Sequence, residues 1–168
     1  MTTRNSAQKR THLVCLLLGS NIQPEIHLPL AVSHLSRVTV VVAVSQVWES
    51  PAVGTEGPDY LNAAVLIRTH LPPSGLKRQV IQPVEAELGR VRQSDKFAPR
   101  TIDIDIAVWS GRLVRADLCQ HAYAALPISE LLPELTIGDS CQPLAAFAET
   151  LRLSSQIWLR RDILLPLP

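Results

Sequence analysis

The chain has few of the residues that mark the more specialised classes of protein. Only 4% of its residues are aromatic, and its cysteines, Cys15, Cys119 and Cys141, form no C-x-x-C pair. An odd cysteine count without such a pair argues against a disulfide framework and against a zinc knuckle. The sequence also has no apolar run near the roughly 18 residues that cross a bilayer. These absences predict a soluble cytoplasmic protein with reduced thiols.

The charge of the chain is almost balanced, which limits its partners. Sixteen Lys and Arg stand against fifteen Asp and Glu, giving a formal net charge of +1. Such a balance provides no general attraction for nucleic acid or for an acidic membrane surface. The length of 168 residues and the 46% hydrophobic content fit one folded domain over residues 1–168. We expect residues 1–12 to form a flexible extension and the chain to be a monomer or a weak homodimer.

The hydrophobic pattern predicts alternating strands and helices, because short apolar or β-branched runs favour extended chain and helical spacing favours helices. Pro29 is expected in the first turn or at the end of its helix, and Pro83 is expected to kink the second helix. The order β-α-β-β-α-β indicates a ferredoxin-like α+β fold, with the residues after 110 as an appendage. The predicted strands span 13–18, 38–44, 60–67 and 102–108, and the predicted helices span 26–35 and 72–89.

Asp103 and Asp105 are the sharpest chemical signal in the sequence. Alternate residues of a strand share one face, so the two carboxylates point the same way, with Cα atoms about 7 Å apart. The intervening and flanking Ile102, Ile104 and Ile106 then face the core. Mg²⁺ takes a few carboxylate oxygens and leaves its other positions to water and phosphate, so this pair suits one or two ions on a triphosphate. A solvated acidic face is the alternative explanation of the alternation.

Four cations stand directly before this acidic strand. Arg90, Arg92, Lys96 and Arg100 precede Asp103 on a predicted loop. Beside carboxylates they suit a metal-bound polyphosphate, whose charge spreads over its oxygens during phosphoryl transfer. A solvated basic face is the alternative for Arg92 and Lys96. The sequence contains neither a P-loop nor a G-x-G-x-x-G motif, so neither device would hold the nucleotide.

Four motifs in register resemble the 6-hydroxymethyl-7,8-dihydropterin pyrophosphokinases of folate biosynthesis. That family has a ferredoxin-like α-β-α sandwich with a mainly antiparallel sheet. Its members move the β,γ-pyrophosphoryl unit of ATP onto the hydroxymethyl oxygen of the pterin and release AMP, and the resemblance implies this fold and activity here. The motifs are Gly19-Ser20-Asn21, Pro58-Asp59-Tyr60-Leu61-Asn62-Ala63-Ala64-Val65, Glu85 with Gly89-Arg90-Val91-Arg92, and Ala98-Pro99-Arg100-Thr101-Ile102-Asp103-Ile104-Asp105-Ile106.

The resemblance also implies roles for the matching residues. Asp103 and Asp105 would hold two Mg²⁺ ions on the ATP triphosphate, and Arg90 and Arg100 would be catalytic with them. The residues that the resemblance implies for ATP binding are Glu85, Arg90, Arg92, Arg100, Ile106 and His121. Those that it implies for pterin binding are Ser50, Pro51, Val53, Tyr60, Asn62 and Phe97.

The chain departs from the family pattern around His121. The family has a longer segment after this histidine, with an arginine for the phosphates and a phenylalanine against the pterin, and neither has an obvious equivalent here. Ala122 stands where the family has a tyrosine, and Gln93 where it has a cation. Loss of one stacking ring would weaken pterin binding by about 1 to 3 kcal/mol. Tyr123 and Phe147 are candidates for replacing that ring.

The sequence leaves two alternative functions open. A diverged homologue that binds a pterin or nucleotide without efficient turnover, and acts through a partner, would fit the shortened segment and the apolar tail 157–168. Polymerase-like nucleotidyl transfer also uses paired aspartates on a ferredoxin-like sheet. The released product separates the three: AMP for pyrophosphoryl transfer, pyrophosphate for nucleotidyl transfer, and neither for a binding protein.

Overall fold

The described strands form one sheet in which every pair of neighbours is antiparallel. The computed structural model describes residues 10–52, 57–91, 98–115, 117–137 and 142–167. The order across the sheet is β6-β5-β1-β4-β3-β7, and β2 also pairs with β4. The strands are β1 (His12–Ser20), β2 (Val40–Val44), β3 (Trp48–Ser50), β4 (Tyr60–Thr69), β5 (Asp103–Trp109), β6 (Arg112–Leu113) and β7 (Trp158–Leu159).

Helices cover both faces of the sheet. Their bounds are α1 (Pro24–Val38), α2 (Pro73–Leu76), a π-helical turn (Lys77–Ile81), α3 (Gln82–Glu87), a 3₁₀ turn (Leu118–Gln120), α4 (Ala122–Leu131) and α5 (Leu144–Ser154). The helices α1 to α3 pack on one face and form the first core, and α4 and α5 pack on the other face and form the second core. None of the described helices combines the length and the apolar character that crossing a membrane requires.

The central strand β1 contributes to both cores by simple alternation. Leu16 and Leu18 are buried in the first core, whereas Cys15 and Leu17 are buried in the second. A strand buried on both faces is expected to be continuously apolar, as this one is. The four main strands run in the order β5-β1-β4-β2, with α1 after β1 and α2 and α3 after β4. The predicted ferredoxin-like α-β-α sandwich is confirmed.

The residues after 110 are not the appendage that the sequence predicted. They supply β6 and β7 at the two edges of the sheet, and α4 and α5 form the whole described helical layer of the second core. Ala124, Ala125, Ile128 and Leu144 are buried there against the sheet. Without this layer, the face that carries Leu17 would be exposed to water, and apolar burial is the main favourable term in folding.

Two details of the first helix differ from the prediction. Pro29 lies inside α1 and not in its first turn or at its end. The carbonyl that Pro29 displaces belongs to Glu25 in the first turn, so the rest of the helix keeps its hydrogen bonds. Burial of Leu28 and Leu35 in the first core stabilises the helix across the proline. Val38 ends α1, so the predicted strand 38–44 begins two residues later, with β2.

The helix before β5 is interrupted close to Pro83, where a kink was predicted. The π-helical turn immediately precedes α3, and its closing bond runs from the Gln82 N–H to the Lys77 carbonyl. Pro83 has no N–H to offer the preceding turn, and a π-turn is one way for a helix to absorb such a defect. Gly89, with φ 75°, ends this stretch as predicted, because glycine adopts the left-handed conformation without strain.

The buried cysteines should be chemically inert in the folded protein. Burial and the nearby Cys119 together raise the pKa of Cys15 to about 12, and burial together with the charge of Asp117 raises the pKa of Cys119 to about 11. Because the thiolate is the nucleophile, we expect neither thiol to react with iodoacetamide at pH 8. Peptide mass spectrometry would show both labelled after unfolding in guanidinium. Rapid native labelling of Cys15 would contradict its placement.

Candidate active site

Four strands place a row of residues across the sheet. Strand pairing puts Asp103 of β5 beside Gly19 of β1. Gly19 in turn pairs with Asn62 of β4, which pairs with Trp48 of β3. Directly opposed residues of antiparallel strands point to the same face, and this row faces the second core, where Trp48 packs. Asp105 shares that face with Asp103, so both carboxylates point to the side of α4 and α5, as the alternation predicts.

Gly19 lets the polar side chains of β4 approach the backbone of β1 closely. A Cβ atom added at Gly19 would lie 3.2 Å from Asn62 Oδ1 and 3.8 Å from Tyr60 Cδ1. Asn62 is buried, and its Nδ2 donates a 3.2 Å hydrogen bond to Ser50 Oγ. Ser50 pairs with Tyr60 at the ends of β3 and β4. Ser50, Tyr60 and Asn62 therefore form one polar wall, and Gly19 is the floor beside it.

Two arginines hold the carboxylate of Asp103. Arg90 Nη1 contacts Asp103 Oδ1, and Arg100 Nη1 donates to Asp103 Oδ2 at 2.5 Å. All three side chains are largely shielded from solvent, where charges interact more strongly than in water. The two guanidinium groups neutralise Asp103 from both of its oxygens. Guanidinium groups are also the side chains that pair best with the oxygens of a phosphate group.

Glu85 holds Arg90 through a buried ion pair. Glu85 is 3% exposed, and its Oε1 accepts hydrogen bonds from Arg90 Nη1 at 3.1 Å and from the Ile104 N–H at 3.0 Å. Arg90 Nη1 also donates to the Ile102 carbonyl at 2.9 Å. Glu85 therefore joins the end of α3 to the start of β5 and orients the guanidinium of Arg90 toward Asp103.

The turn after β1 holds Arg100 in place. The backbone N–H groups of Asn21 and Ile22 both donate to the Arg100 carbonyl, at 3.1 and 3.2 Å. The Arg100 N–H donates to Asn21 Oδ1 at 2.8 Å, and Asn21 Nδ2 donates to the Pro58 carbonyl at 3.4 Å. Asn21 is buried. A single amide side chain thus links the segments that lead into β4 and β5, a role that the sequence motif did not reveal.

Asp105 lies in an electrostatically costly position. Burial raises the pKa of Asp105, and the neighbouring Asp103 carboxylate raises it further. Arg115, Arg90 and Lys77 oppose this shift by stabilising the charged form. Two hard carboxylates on one face fit Mg²⁺, which accepts few protein ligands and takes the others from water and phosphate. Within the described ranges, no group of three or more His, Cys, Asp or Glu side chains is placed to hold a metal ion.

The start of α4 brings further groups toward Asp105. The rings of His121 and Tyr123 stack with centroids 5.3 Å apart. Burial raises the pKa of Tyr123, Arg115 lowers it, and the charge of Asp105 raises it. Arg115 is itself paired with Asp117 at 2.6 Å. The sequence motifs did not single out Arg115, whose electrostatic effect on Asp105 becomes visible only in the fold.

The structure brings together most of the residues predicted for the site. Asp103, Arg90, Arg100 and Glu85 are in direct contact. The side chain of Ile106 packs against the first core, on the face opposite the aspartates, so only its main chain can meet a ligand there. Pro51 is half-buried directly after β3. The predicted residues that lie outside the described ranges are Val53, Arg92 and Phe97.

Replacement of Asp105 by asparagine should stabilise the protein at neutral pH in metal-free buffer. A carboxyl whose pKa is raised by folding lowers the stability of the folded state at neutral pH. The loss begins as the pH rises above the carboxyl's unfolded pKa and is complete once the pH has passed the raised folded pKa. The neutral amide avoids the cost. We therefore expect Asp105→Asn to melt at a higher temperature than the wild type at pH 7.

The pH dependence of the melting temperatures checks this electrostatic explanation. The two melting temperatures should converge as the pH falls and Asp105 of the wild type becomes protonated in both the folded and the unfolded state. Calorimetric scans from pH 3 to pH 8 measure this, with the exposed Glu134→Gln as the matched control. A lower melting temperature for Asp105→Asn at pH 7, or an equal gain in the control, would overturn the electrostatic explanation.

Comparisons with known proteins agree with this arrangement. The family model described as 7,8-dihydro-6-hydroxymethylpterin-pyrophosphokinase (HPPK) matches residues 15–133. A 2-amino-4-hydroxy-6-hydroxymethyldihydropteridine pyrophosphokinase from Methylorubrum extorquens is 38% identical over 133 residues, which cover 72% of this chain and 83% of that protein. The protein of the same name from Aquifex aeolicus is 32% identical over 144 residues, covering 80% and 89%.

Solved structures share the fold. A crystal structure of Plasmodium falciparum HPPK-DHPS with pteroate superimposes with a TM-score of 0.65 at 10% sequence identity. The match covers 86% of this chain and 44% of that one. At such low identity the likeness concerns the fold alone, whereas the sequence matches concern the family. The chain therefore belongs to the 7,8-dihydro-6-hydroxymethylpterin-pyrophosphokinase (HPPK) family, as its four motifs predicted.

Proposed function

We propose that the chain transfers the β,γ-pyrophosphoryl group of ATP to the hydroxymethyl oxygen of 6-hydroxymethyl-7,8-dihydropterin and releases AMP. Family membership supports pyrophosphoryl transfer in folate biosynthesis. The observation that carries the proposal is the contact of Asp103 with Arg90 and Arg100, beside Asp105 and on the face that also carries Asn62. Carboxylates flanked by cations suit a metal-bound polyphosphate.

Asp103 and Asp105 are the residues that would hold magnesium, with two ions as the resemblance implies. Their donor set consists of hard carboxylate oxygens, which Mg²⁺ prefers. Bound magnesium would supply a Lewis acid that polarises the phosphoryl oxygens of ATP. Lys77 and Arg115 act on Asp105 at longer range and favour its ionised form, the form that binds a cation.

The arginines of the site neutralise the charge that spreads over the transferred group. Arg90 is held by Glu85, and the Arg100 guanidinium is held by Asp103 and by the Ala98 carbonyl, so both guanidinium groups are oriented before ATP binds. Such preorganisation is the main source of catalysis in phosphoryl transfer, together with alignment of the attacking hydroxyl. Arg115 joins them as a third cation. Arg92 keeps its predicted role in ATP binding.

The other residues predicted for ATP would act around this charge cluster. His121 lies at the start of α4 and is exposed, with one ring face stacked on Tyr123. It can therefore still meet the nucleotide. The buried position of Glu85 favours an indirect part in ATP binding, through Arg90. Ile106 would contribute main-chain atoms only.

The polar wall beside Gly19 suits the pterin. A pterin is a flat heterocycle with donors and acceptors along its edge, and an amide side chain can match both. Because Asn62 Nδ2 is engaged by Ser50, its Oδ1 is the atom turned toward Gly19. Tyr60 offers a ring for the heterocycle face. Pro51, Val53 and Phe97 keep their predicted roles in closing this pocket, and the oligomeric state stays a prediction.

The reaction is tested by identifying the nucleotide product. The protein is incubated with ATP, MgCl₂ and 6-hydroxymethyl-7,8-dihydropterin, and products are separated by anion exchange. We expect AMP and a pterin diphosphate in equal amounts, and no AMP when the pterin is left out. Pyrophosphate as the product would support nucleotidyl transfer instead. Absence of both products at high enzyme concentration would leave a binding protein and refute the proposal.

The aspartate pair is tested by replacing each carboxylate separately. Asp103→Asn and Asp105→Asn should each lower the rate of AMP formation by about 100-fold or more, because each removes an oxygen ligand and several kcal/mol of charge stabilisation. Glu134→Gln is the control, since its side chain is exposed. If either variant keeps more than a tenth of the wild-type rate, that residue is not the magnesium ligand that we propose.

A further inference from the structure

The C-terminal segment wraps around one edge of the sheet. After α5, Ile157 packs against the second core. The chain then pairs with β3 as strand β7, with Leu159 opposite Trp48. Further on, Ile163 and Leu165 pack against the first core, on the other face. Residues 157–165, here called the C-terminal strap, thus contact both cores and form the edge strand beside β3.

Arg160 is the centre of the polar contacts between this strap and the rest of the fold. Its backbone N–H donates to the Val47 carbonyl at 2.9 Å, which continues the pairing of β7 with β3. Its Nη1 donates to Glu49 Oε2 at 3.0 Å, and its Nη2 lies 3.9 Å from Glu25 Oε1 on α1. Arg160 also makes two hydrogen bonds to Asp162, at 2.8 and 2.9 Å.

This network differs from an ordinary surface ion pair. The side chains of Arg160 and Glu49 are only 24% and 27% exposed, and their pairing joins residues 111 positions apart in the sequence. The two bonds to Asp162 fix the plane of the guanidinium, so that Nη1 is aimed at Glu49. Networks with fixed geometry contribute more than isolated exposed pairs, whose median value is close to zero.

The strand held by this network carries one wall of the site. β3 has three residues, and its last residue, Ser50, accepts the hydrogen bond from Asn62. Glu130 of α4 secures β3 on the opposite face, by accepting from Trp48 Nε1 at 2.7 Å. A strand this short has little stability of its own. Its position therefore depends on β4, on Glu130 and on the strap.

We propose that Arg160 is a positioning residue for the pterin side of the site. With β7 it fixes β3, and through the bond between Ser50 and Asn62 it sets the orientation of the Asn62 amide. This inference rests on the proposed function, because it takes Ser50 and Asn62 to be pterin ligands. It gives the C-terminal strap a role in substrate affinity, on the side of the site away from the aspartates.

The test compares Arg160→Ala with two matched variants. Arg160→Lys keeps a positive charge near Glu49 and should therefore raise KM for the pterin less than Arg160→Ala does. Arg152→Ala removes an arginine of α5 that pairs with Glu149, three residues earlier on the same helix. Steady-state rates of AMP formation give KM for the pterin at saturating ATP, KM for ATP, and kcat. Hydrogen exchange of the peptide over residues 47–52 reports on β3 without requiring activity.

We expect Arg160→Ala to raise KM for the pterin about tenfold, as loss of a charged hydrogen bond would. KM for ATP and kcat should stay within about twofold, because the charge cluster is not touched. Exchange of residues 47–52 should become faster while that of β1 stays unchanged. Arg152→Ala should match the wild type in every measurement.

The outcomes distinguish failure of the proposed function from failure of the positioning role of Arg160. If the wild type releases no AMP, the proposed function fails, while the exchange data still decide whether Arg160 holds β3. Unchanged exchange over residues 47–52 in Arg160→Ala would overturn the inference. So would faster exchange with an unchanged KM for the pterin, or an equal rise in KM for pterin and ATP, because a general loss of structure would raise both.

Discussion

Two carboxylates of like charge at the start of β5 set the requirements for the rest of the site. Because alternate residues of a strand share a face, the fold cannot turn Asp103 and Asp105 away from each other. Burial and mutual repulsion raise the pKa of Asp105. The protein offsets this cost with cations from three separate parts of the chain: Arg90 after α3, Arg100 before β5, and Arg115 after β6. The repulsion between Asp103 and Asp105 would fall if a cation bound between them, and the arginines could then pair with a polyphosphate.

The supports of this charge cluster are mostly buried and come from distant parts of the sequence. Glu85 satisfies the Ile104 N–H and holds Arg90, and Asn21 holds the backbone of Arg100. Each is a buried polar group with its hydrogen bonds filled, and loss of one partner would leave the other unsatisfied at a cost of about 1–3 kcal/mol. The side proposed to bind the pterin is built differently, on the three-residue strand β3, which is held by its contacts with β4, with Glu130 and with the C-terminal strap. The two halves of the site therefore respond differently to substitution.

The sequence predicted what depends on local periodicity and on motifs. The alternation around Asp103 placed both carboxylates on one face, and the apolar run of β1 predicted a strand buried on both sides. What the sequence could not reveal depends on contacts across long separations. Arg160 pairs with Glu49, which lies 111 positions earlier in the sequence. Arg115 acts on Asp105 from an irregular segment between β6 and α4, whose course hydrophobic periodicity does not predict. The predicted position of Pro29 at one end of its helix was wrong, because burial of the helix against the core outweighs the loss of one hydrogen bond.

The central claim is that the aspartates and arginines bind a nucleotide as a single magnesium-dependent unit. Calorimetric titration with α,β-methylene-ATP, which cannot transfer its pyrophosphoryl group by cleavage at the α,β bridge, tests it most directly. We predict binding in MgCl₂ that weakens at least about tenfold in EDTA, and about as much in Asp103→Asn with magnesium present. Equal affinity with and without magnesium, in a wild-type protein that binds the analogue, would contradict the account.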